Sequence, residues 1–254
     1  MSKPEIDNLI TINKVDGAVL SSTHGTYHIT RKDIGLLKLN SGQIVVADPL
    51  LMYRSEDFAR KALSVSIRPG VYPVEVYMAT DEENSFPAFS CIRFNNNVPV
   101  EFTAAKTIHD QEQKRKPPYR YVVEECRTGF MDAEVFHTIC KLPKRMCLDY
   151  LIDFDEDENE DTEFHCVVGS SEDGELTAAL FTIMKSGVYY WYWGKDCNGE
   201  VCCLFADLRL SQTLCKPAVW CRIEAAHRRI TIWPERIAHR KKMRVGKRSV
   251  SCCR

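Results

Sequence analysis

The chain has 254 residues, of which 44% are hydrophobic, and a formal net charge of −1 at neutral pH. That hydrophobic fraction is ordinary for a protein that buries a real core. No apolar run approaches the ~18 residues of a membrane-spanning helix, and the N-terminus lacks the apolar stretch of a secretory signal, so we expect a cytoplasmic protein.

The first half of the chain shows the side-chain alternation and turn residues of short strands. Residues 43–47 predict a strand that follows the turn pair Ser41-Gly42 and ends before Pro49, because proline cannot continue a central ladder. Pro73 indicates a strand edge or a strand beginning for the same reason. Further strands are predicted at residues 71–77, 88–94, 98–103 and 119–126.

Helical patterns are shorter and fewer, at residues 55–63, 133–142 and 144–152. Residues 129–132 predict a turn, and Asp132 at its end can cap the second of these helices with its side-chain oxygen. The polar, charged residues 109–118 are typical of an exposed loop.

Strand patterns return in the second half, at residues 164–168, 176–184, 188–193 and 201–206. Asp173-Gly174 separates the first two, and Asn198-Gly199 separates the last two. Both dipeptides tolerate the positive φ of a tight hairpin turn, so they predict antiparallel pairs. The predicted fold class is α+β: a mostly antiparallel, sandwich-like β-sheet domain with two or three short helices.

The charges divide the chain into two parts. Residues 1–210 contain 22 Lys and Arg against 33 Asp and Glu, whereas residues 211–254 contain 12 against 2. The strand pattern also fails beyond residue 210. We therefore predict a β-rich globular domain over residues 1–210, followed by a basic and poorly patterned segment over residues 211–254.

Four segments in this order resemble one bacterial family: residues 41–49, 69–74, 128–132 and 187–204. The family is a domain of unknown function, number 4241, and the resemblance spans roughly residues 35–210. It implies a compact, β-rich cytoplasmic domain and carries no chemistry. The sequence departs from the family at the last hairpin, where Leu208 follows Asp207 and the family favours phenylalanine.

Three aspartates, Asp48, Asp132 and Asp196, follow predicted strands or turns. Carboxylates at such positions can converge to bind a metal ion or to act as general bases. Aspartate more often stabilises a turn or caps a helix, because its side chain accepts hydrogen bonds from nearby backbone amides. We keep both interpretations.

The most unusual run of residues is Tyr189-Tyr-Trp-Tyr-Trp193. On a strand, Tyr189, Trp191 and Trp193 share one face, and Tyr190 and Tyr192 share the other. One face should belong to the core. The other face forms either a partner surface or a second buried face, and the candidate binding residues are therefore Tyr190, Trp191, Tyr192 and Trp193.

Other chemistries have weaker support. The chain has twelve cysteines, but no pair has the spacing of a zinc-binding loop, so we expect free thiols and no metal or other cofactor. The acidic residues 153–163 lack the glycine and the final glutamate of a calcium-binding loop, which favours a solvated loop. There is no nucleophile elbow and no glycine-rich phosphate loop.

The basic segment offers one further possibility, namely contact with nucleic acid phosphates. Its cationic cluster consists of Arg240, Lys241, Lys242, Arg244, Lys247 and Arg248. Neither a recognised fold nor interleaved aromatic residues support this function, and a flexible basic terminus is the simpler interpretation.

These observations predict a protein-interaction or binding module, with an immunity-like role as one form of it. The first alternative is a metal-dependent hydrolase that uses Asp48, Asp132 and Asp196. The second alternative is nucleic-acid binding through the basic segment. The partner of the leading hypothesis is another protein.

Overall fold

A computed structural model of the protein describes residues 17–22, 25–48, 61–82, 84–123, 127–141, 166–170, 177–183 and 186–208, together with Ile10 and Ile12. The predicted helix at residues 144–152, the acidic residues 153–163 and the basic segment 211–254 lie outside these described residues. The predicted boundary near residue 210 therefore stays a prediction. None of the helices in the described part has the length and apolarity that a bilayer span requires.

Strands make up most of the described chain. They are β1 (Ala18–Ser22), β2 (Gly25–Leu39), β3 (Ile44–Ala47), β4 (Gly70–Thr80), β5 (Ser85–Arg93), β6 (Glu101–Ala104), β7 (Tyr121–Val123), β8 (Arg127–Asp132), β9 (Cys166–Ser170), β10 (Thr177–Thr182), β11 (Gly187–Lys195) and β12 (Val201–Asp207). Two helices accompany them, α1 (Ile108–Glu112) and α2 (Ala133–Lys141).

The strands form two sheets in which every described pairing is antiparallel. The larger sheet has the order β1-β2-β4-β5-β12-β11-β6, and β7 also pairs with β11. The smaller sheet has the order β3-β8-β10-β9. Both hairpins that the Asp-Gly and Asn-Gly pairs predict are present, as β9–β10 and β11–β12.

The main core lies between the two sheets. It is formed by inward-facing residues of both, and the contact of Phe130 on β8 with Trp191 on β11, with ring centroids 4.7 Å apart, joins them. A second core covers the opposite face of the larger sheet and includes Tyr77, Phe89 and Phe205. Antiparallel strands that are buried on both faces explain why β11 and β12 contain few polar residues.

Helix α2 covers the outer face of the smaller sheet. Its residues Val135, Phe136 and Ile139 are buried and belong to a third cluster with Met131 and Leu180 of the sheet. Because the described chain has twelve strands against two short helices, the fold is largely β, which corrects the α+β class. The prediction of mostly antiparallel sheet is confirmed.

Two local predictions are wrong. Residues 129–132 form part of β8 and not a turn, because β3 and β10 pair with β8 on its two sides. The glycine has a packing role there, since a Cβ atom on Gly129 would lie 2.5 Å from the carbonyl oxygen of Ala179. The predicted loop 109–118 begins as helix α1, which is capped by a reciprocal box between Thr107 and Asp110.

Two further regions differ from expectation. Strands β1 and β2, which pair from Ala18 to Ile29, have no counterpart in the predicted elements. The predicted helix 55–63 is described only at its end, where Ala62 and Leu63 form isolated bridges with Val45 and Thr107. The remainder of that helix lies outside the described residues.

Candidate functional site

Asp132 is 1% exposed, and its carboxylate accepts hydrogen bonds from two nearby backbone amides and one side-chain hydroxyl. Its Oδ1 accepts hydrogen bonds from the Glu134 amide at 2.8 Å and from Ser41 Oγ at 2.8 Å, and its Oδ2 accepts one from the Ser41 amide at 2.9 Å. Asp132 thus begins helix α2 and holds the turn that precedes β3. This is structural use of a carboxylate.

Asp196 organises the tight turn between β11 and β12. It accepts hydrogen bonds from the amides of Asn198 at 2.9 Å and Glu200 at 3.0 Å, and from Asn97 Nδ2 at 2.6 Å. Burial opposes the charged form, but the hydrogen bonds from Glu200, Asn97 and Asn198 outweigh it and hold the pKa of Asp196 below its usual range.

The three candidate catalytic aspartates do not converge. Asp48 follows β3 at the end where Ala47 pairs with Gly129, whereas Asp132 pairs with Ile44 at the other end. Four residues of extended strand separate Asp48 from Asp132, which is about 13 Å. Asp196 belongs to the larger sheet. Within the described ranges, no group of three or more His, Cys, Asp or Glu residues is placed to hold a metal ion.

The aromatic strand β11 is covered on both faces. Tyr189, Trp191 and Trp193 lie in the core between the sheets, whereas Tyr192 and the half-buried Tyr190 contact the second core. The predicted alternation is therefore present in the structure. Because Trp191, Tyr192 and Trp193 are buried, Tyr190 is the member of the candidate binding set whose side chain is partly exposed.

A buried polar network that the sequence analysis missed lies at the margin of the second core. The Glu75 carboxylate accepts hydrogen bonds from Arg93 Nε at 3.0 Å and from the Tyr77 hydroxyl at 2.9 Å. Arg93 also donates to the Tyr77 hydroxyl at 2.6 Å. Burial raises the pKa of Tyr77 far above its usual range, and Glu75 adds to this effect, so the hydroxyl stays protonated.

Three buried thiols, Cys91, Cys202 and Cys203, adjoin this network. The register of β11 and β12 shifts between Gly194 and Lys195, so that Cys202 is the extra residue of a bulge. Hydrogen bonds with Cys202 and Cys91, together with burial, hold the pKa of Cys203 well above its usual range. A thiol that stays protonated and buried has structural character.

A groove opens beside the edge of the larger sheet. Its volume is about 360 Å³, and the residues that line it are Ser64, Val65, Thr103, Ala104, Lys106, Pro117, Tyr119, Trp193, Lys195 and Val201. Strands β6 and β11 form its floor, because Trp193 and Thr103 stand directly opposite each other. The amide of Ser64 donates to the carbonyl of Lys106 at 2.8 Å, which places both residues at the same wall.

Two side-chain donors at this groove have no acceptor. Ser64 Oγ and Trp193 Nε1 are both buried and form no hydrogen bond in the described part of the chain. Ser90 Oγ and Trp191 Nε1 share this property, but neither residue lines the groove. A buried donor without a partner costs ~1–3 kcal/mol. Because both atoms are covered by the protein, this cost belongs to the wall of the groove and not to its open surface.

The groove also carries positive charge. Lys106 and Lys195 line it, and neither forms an ion pair with a described residue. Glu101 stands opposite Lys195 in the β6–β11 register without pairing to it. The residues of the basic cluster, Arg240, Lys241, Lys242, Arg244, Lys247 and Arg248, lie outside the described residues. Among the described residues, the lysine pair is the basic feature of the groove lining.

Sequence reasoning had no signal for the groove, because its lining comes from five separate stretches of the chain. Comparison with known families finds a match over residues 37–206 to one described as a protein of unknown function (DUF4241). No curated protein and no solved structure matches the chain.

Proposed function

We propose that this chain, which belongs to the DUF4241 family of proteins of unknown function, is a binding module that receives a partner protein at the groove. The observation that carries the proposal is a groove of about 360 Å³ that is lined by Lys106 and Lys195, neither of which has an ion-pair partner among the described residues. Sites of this size with a few converging polar groups are typical of ligand recognition.

The chemistry of the lining favours binding over catalysis. The ten residues that line the groove include no carboxylate, imidazole or thiol. Serine can also act as a nucleophile, but it needs a base within hydrogen-bond reach, and Ser64 Oγ forms no hydrogen bond in the described part of the chain. Of the aspartates of the hydrolase hypothesis, Asp132 and Asp196 bond to backbone amides elsewhere, and none of the three lines the groove.

The surroundings of the groove favour a polypeptide as the ligand. Among the described strands, β6 pairs only with β11 and forms one end of the larger sheet. Val98 and Val100, immediately before β6, are 45% and 46% exposed. A sheet edge next to exposed apolar side chains is a common place for an extended peptide to bind. An immunity-like role is the form of this proposal in which the partner is a single cognate protein.

A photo-crosslinker at the groove tests the proposal directly. Thr103, which lines the groove, is replaced by p-benzoylphenylalanine in the full chain, and cells of the source organism are irradiated. We expect a discrete polypeptide adduct, identified by mass spectrometry, that the additional substitution Ala104→Trp diminishes by filling the groove. The matched control carries the crosslinker at Thr138, which is exposed on α2. Identical adducts at both positions, or none at Thr103, would contradict the proposal.

A further inference from the structure

The lining of the groove favours an anionic group of the ligand. The inference that follows rests on the proposed function. We propose that the groove recognises a carboxylate of the partner polypeptide, with Lys106 and Lys195 supplying both the positive charge and the hydrogen-bond donors. Both lysine side chains donate and neither competes as an anion. Charge-assisted hydrogen bonds to carboxylates are about twice as strong as neutral ones.

The two lysines are placed by secondary structure. Lys195 is the last residue of β11, two positions after Trp193, so both side chains project from the same face of the strand. Lys106 follows β6 and is joined to Ser64 through the backbone hydrogen bond described above. The two lysines are therefore carried by two different walls of the groove, which brings two positive charges to one place.

The rim of the groove adds to its positive charge. Lys116 precedes Pro117, and Arg120 follows Tyr119, where Pro117 and Tyr119 both line the groove. Lys116 and Arg120 are exposed. Arg115, next in the chain, has an ion pair with Asp110 at 3.3 Å and is already engaged. Exposed cations around a groove attract an acidic segment at a distance and orient it.

One negative charge works against the site. Glu101 faces Lys195 across the β6–β11 pair. It is exposed and forms no ion pair with that lysine, so water screens most of its effect. Replacement of Glu101 by Gln should strengthen binding of an acidic ligand. This change of opposite sign tests the electrostatic part of the inference separately from groove shape.

The test uses the full chain with its tryptophans labelled with ¹⁵N, so that each indole N–H gives one resonance. The Trp193 resonance is assigned through Trp193→Phe. The probe is a blocked pentapeptide with a central glutamate between glycines, and its matched control has glutamine instead of glutamate. We expect a saturable shift of the Trp193 indole resonance with the glutamate peptide and at least tenfold weaker binding of the glutamine peptide.

Two further probes identify the source of the anion. One probe is an all-glycine peptide with a free C-terminal carboxylate. If it binds as well as the glutamate peptide, the inference is supported and the group recognised is the carboxylate of a chain terminus. Inorganic phosphate that binds tenfold more tightly than either peptide would overturn it, because the group recognised would then be a phosphate. Absence of any Trp193 shift with all four probes would overturn it as well.

Substitutions then locate the binding. Lys106→Gln combined with Lys195→Gln should weaken the glutamate peptide at least tenfold, and Glu101→Gln should strengthen it about twofold. The matched control Lys141→Gln, at an exposed position on α2, should leave the affinity unchanged. Unaltered positions of the other indole resonances show that each variant is folded. Equal binding by the double variant and the control contradicts the inference.

The chain itself offers one other occupant, the acidic residues 153–163. If the glutamate peptide binds only after these acids are replaced by their amides, the groove binds the chain's own acidic segment. The inference that it binds a carboxylate of a partner is then overturned. This outcome is distinct from failure of the proposed function. If the crosslinker at the groove captures a partner but the peptides show no preference for a carboxylate, the proposed function stands and the carboxylate inference fails. If the glutamate peptide binds but no crosslinked partner is found, the carboxylate site stands and the protein partner is contradicted.

Discussion

At the scale of single residues, the buried charges of this protein are held by hydrogen bonds rather than left available for chemistry. Asp132 accepts three hydrogen bonds, two from Ser41 and one from the Glu134 amide. Glu75 is 7% exposed and bonds to Arg93 and to the Tyr77 hydroxyl. Carboxylates whose oxygens are occupied in this way order the backbone around them and are poor general bases.

The turn at Asp196 makes this structural use measurable through pH. Asp196→Asn should destabilise the protein at pH 7, because the amide cannot replace the charged acceptor of the Asn198, Glu200 and Asn97 hydrogen bonds. The folded pKa of Asp196 lies below the ordinary value of 3.8. Its contribution to stability is therefore fully present above that value and is lost as the pH falls through the folded pKa.

Urea unfolding of the original protein and of the variant between pH 7 and pH 2.5 measures this difference. We expect a constant gap in unfolding free energy at neutral pH that closes only below about pH 4, where the carboxylate becomes protonated. Glu82→Gln, at an exposed position, is the control and should show no such gap. A gap that persists unchanged at the lowest pH would mean that the charge of Asp196 does not matter.

At the scale of secondary-structure elements, β11 carries both the core and the groove. Its residues Tyr189, Trp191 and Trp193 fill the space between the sheets, and its last residue, Lys195, reaches the groove. The β-bulge with β12 falls directly before Lys195. The extra residue, Cys202, lies on β12, so β11 keeps its alternation and Lys195 stays on the same face as Trp193. The same strand thus provides rigidity and directs one functional side chain.

Gly194 lies beside this bulge and has no room for a side chain. A Cβ atom there would lie 2.4 Å from Cys203 Sγ, 3.0 Å from Pro99 and 3.1 Å from Phe102. Gly194→Ala should therefore destabilise the protein by about 1–3 kcal/mol through overpacking. Chemical denaturation of the single variant and of the double variant Gly194→Ala, Cys203→Ala measures the effect.

The double variant separates overpacking from backbone strain. Removal of Sγ should recover part of the loss caused by Gly194→Ala, so the two substitutions together cost less than the sum of the single costs. Cys203→Ala alone provides the reference. Strict additivity would show that the contact with Cys203 is not what excludes a side chain at position 194.

The sequence predicts elements well where local signals and tertiary pairing agree. The predicted bounds of the strands after Ser41-Gly42 and around Asn198-Gly199 lie within one or two residues of the observed bounds, because turns and alternation delimit these strands. Pro73 lies inside β4, where β4 pairs with β2 and its pairing with β5 has not yet started, so the edge interpretation fits and the strand-beginning interpretation does not. Helix α2 begins directly after Asp132, as its cap predicts.

Prediction fails where partners distant in sequence decide the conformation. Strand β2 mixes charged residues with apolar ones over fifteen positions, and its long pairing with β4 is what makes it extended. The groove was beyond sequence reasoning for the same reason. Ser64 and Trp193 are far apart in the chain, and nothing local in either segment shows that both donors lack acceptors.

At the scale of the whole molecule, the described buried residues form apolar layers on the faces of the two sheets. The three apolar clusters run from Ile12 to Leu208 and cover both faces of the larger sheet and the outer face of the smaller one. The groove lies at the end of the core between the sheets and belongs to the same part of the chain. Both folding and the proposed binding should therefore be properties of residues 1–210.

Two truncations test this division of the chain. A chain that ends at residue 210 should unfold cooperatively within about 0.5 kcal/mol of the full chain, because the described cores are complete by Leu208. A chain that ends at residue 200 is the matched control. It should fail to fold, since it lacks β12 and with it the buried side chains Leu204 and Phe205.

Binding measurements on the same chains separate the two functions that the charges suggest. The chain that ends at residue 210 has 33 acidic against 22 basic residues and should show no affinity for nucleic acid, whereas its response to the glutamate peptide should remain. Any nucleic-acid binding by the full chain should weaken steeply with salt, because it would arise from phosphate contacts of the basic segment. Loss of cooperative unfolding on removal of residues 211–254 would contradict the division, since that segment would then be part of the folded unit.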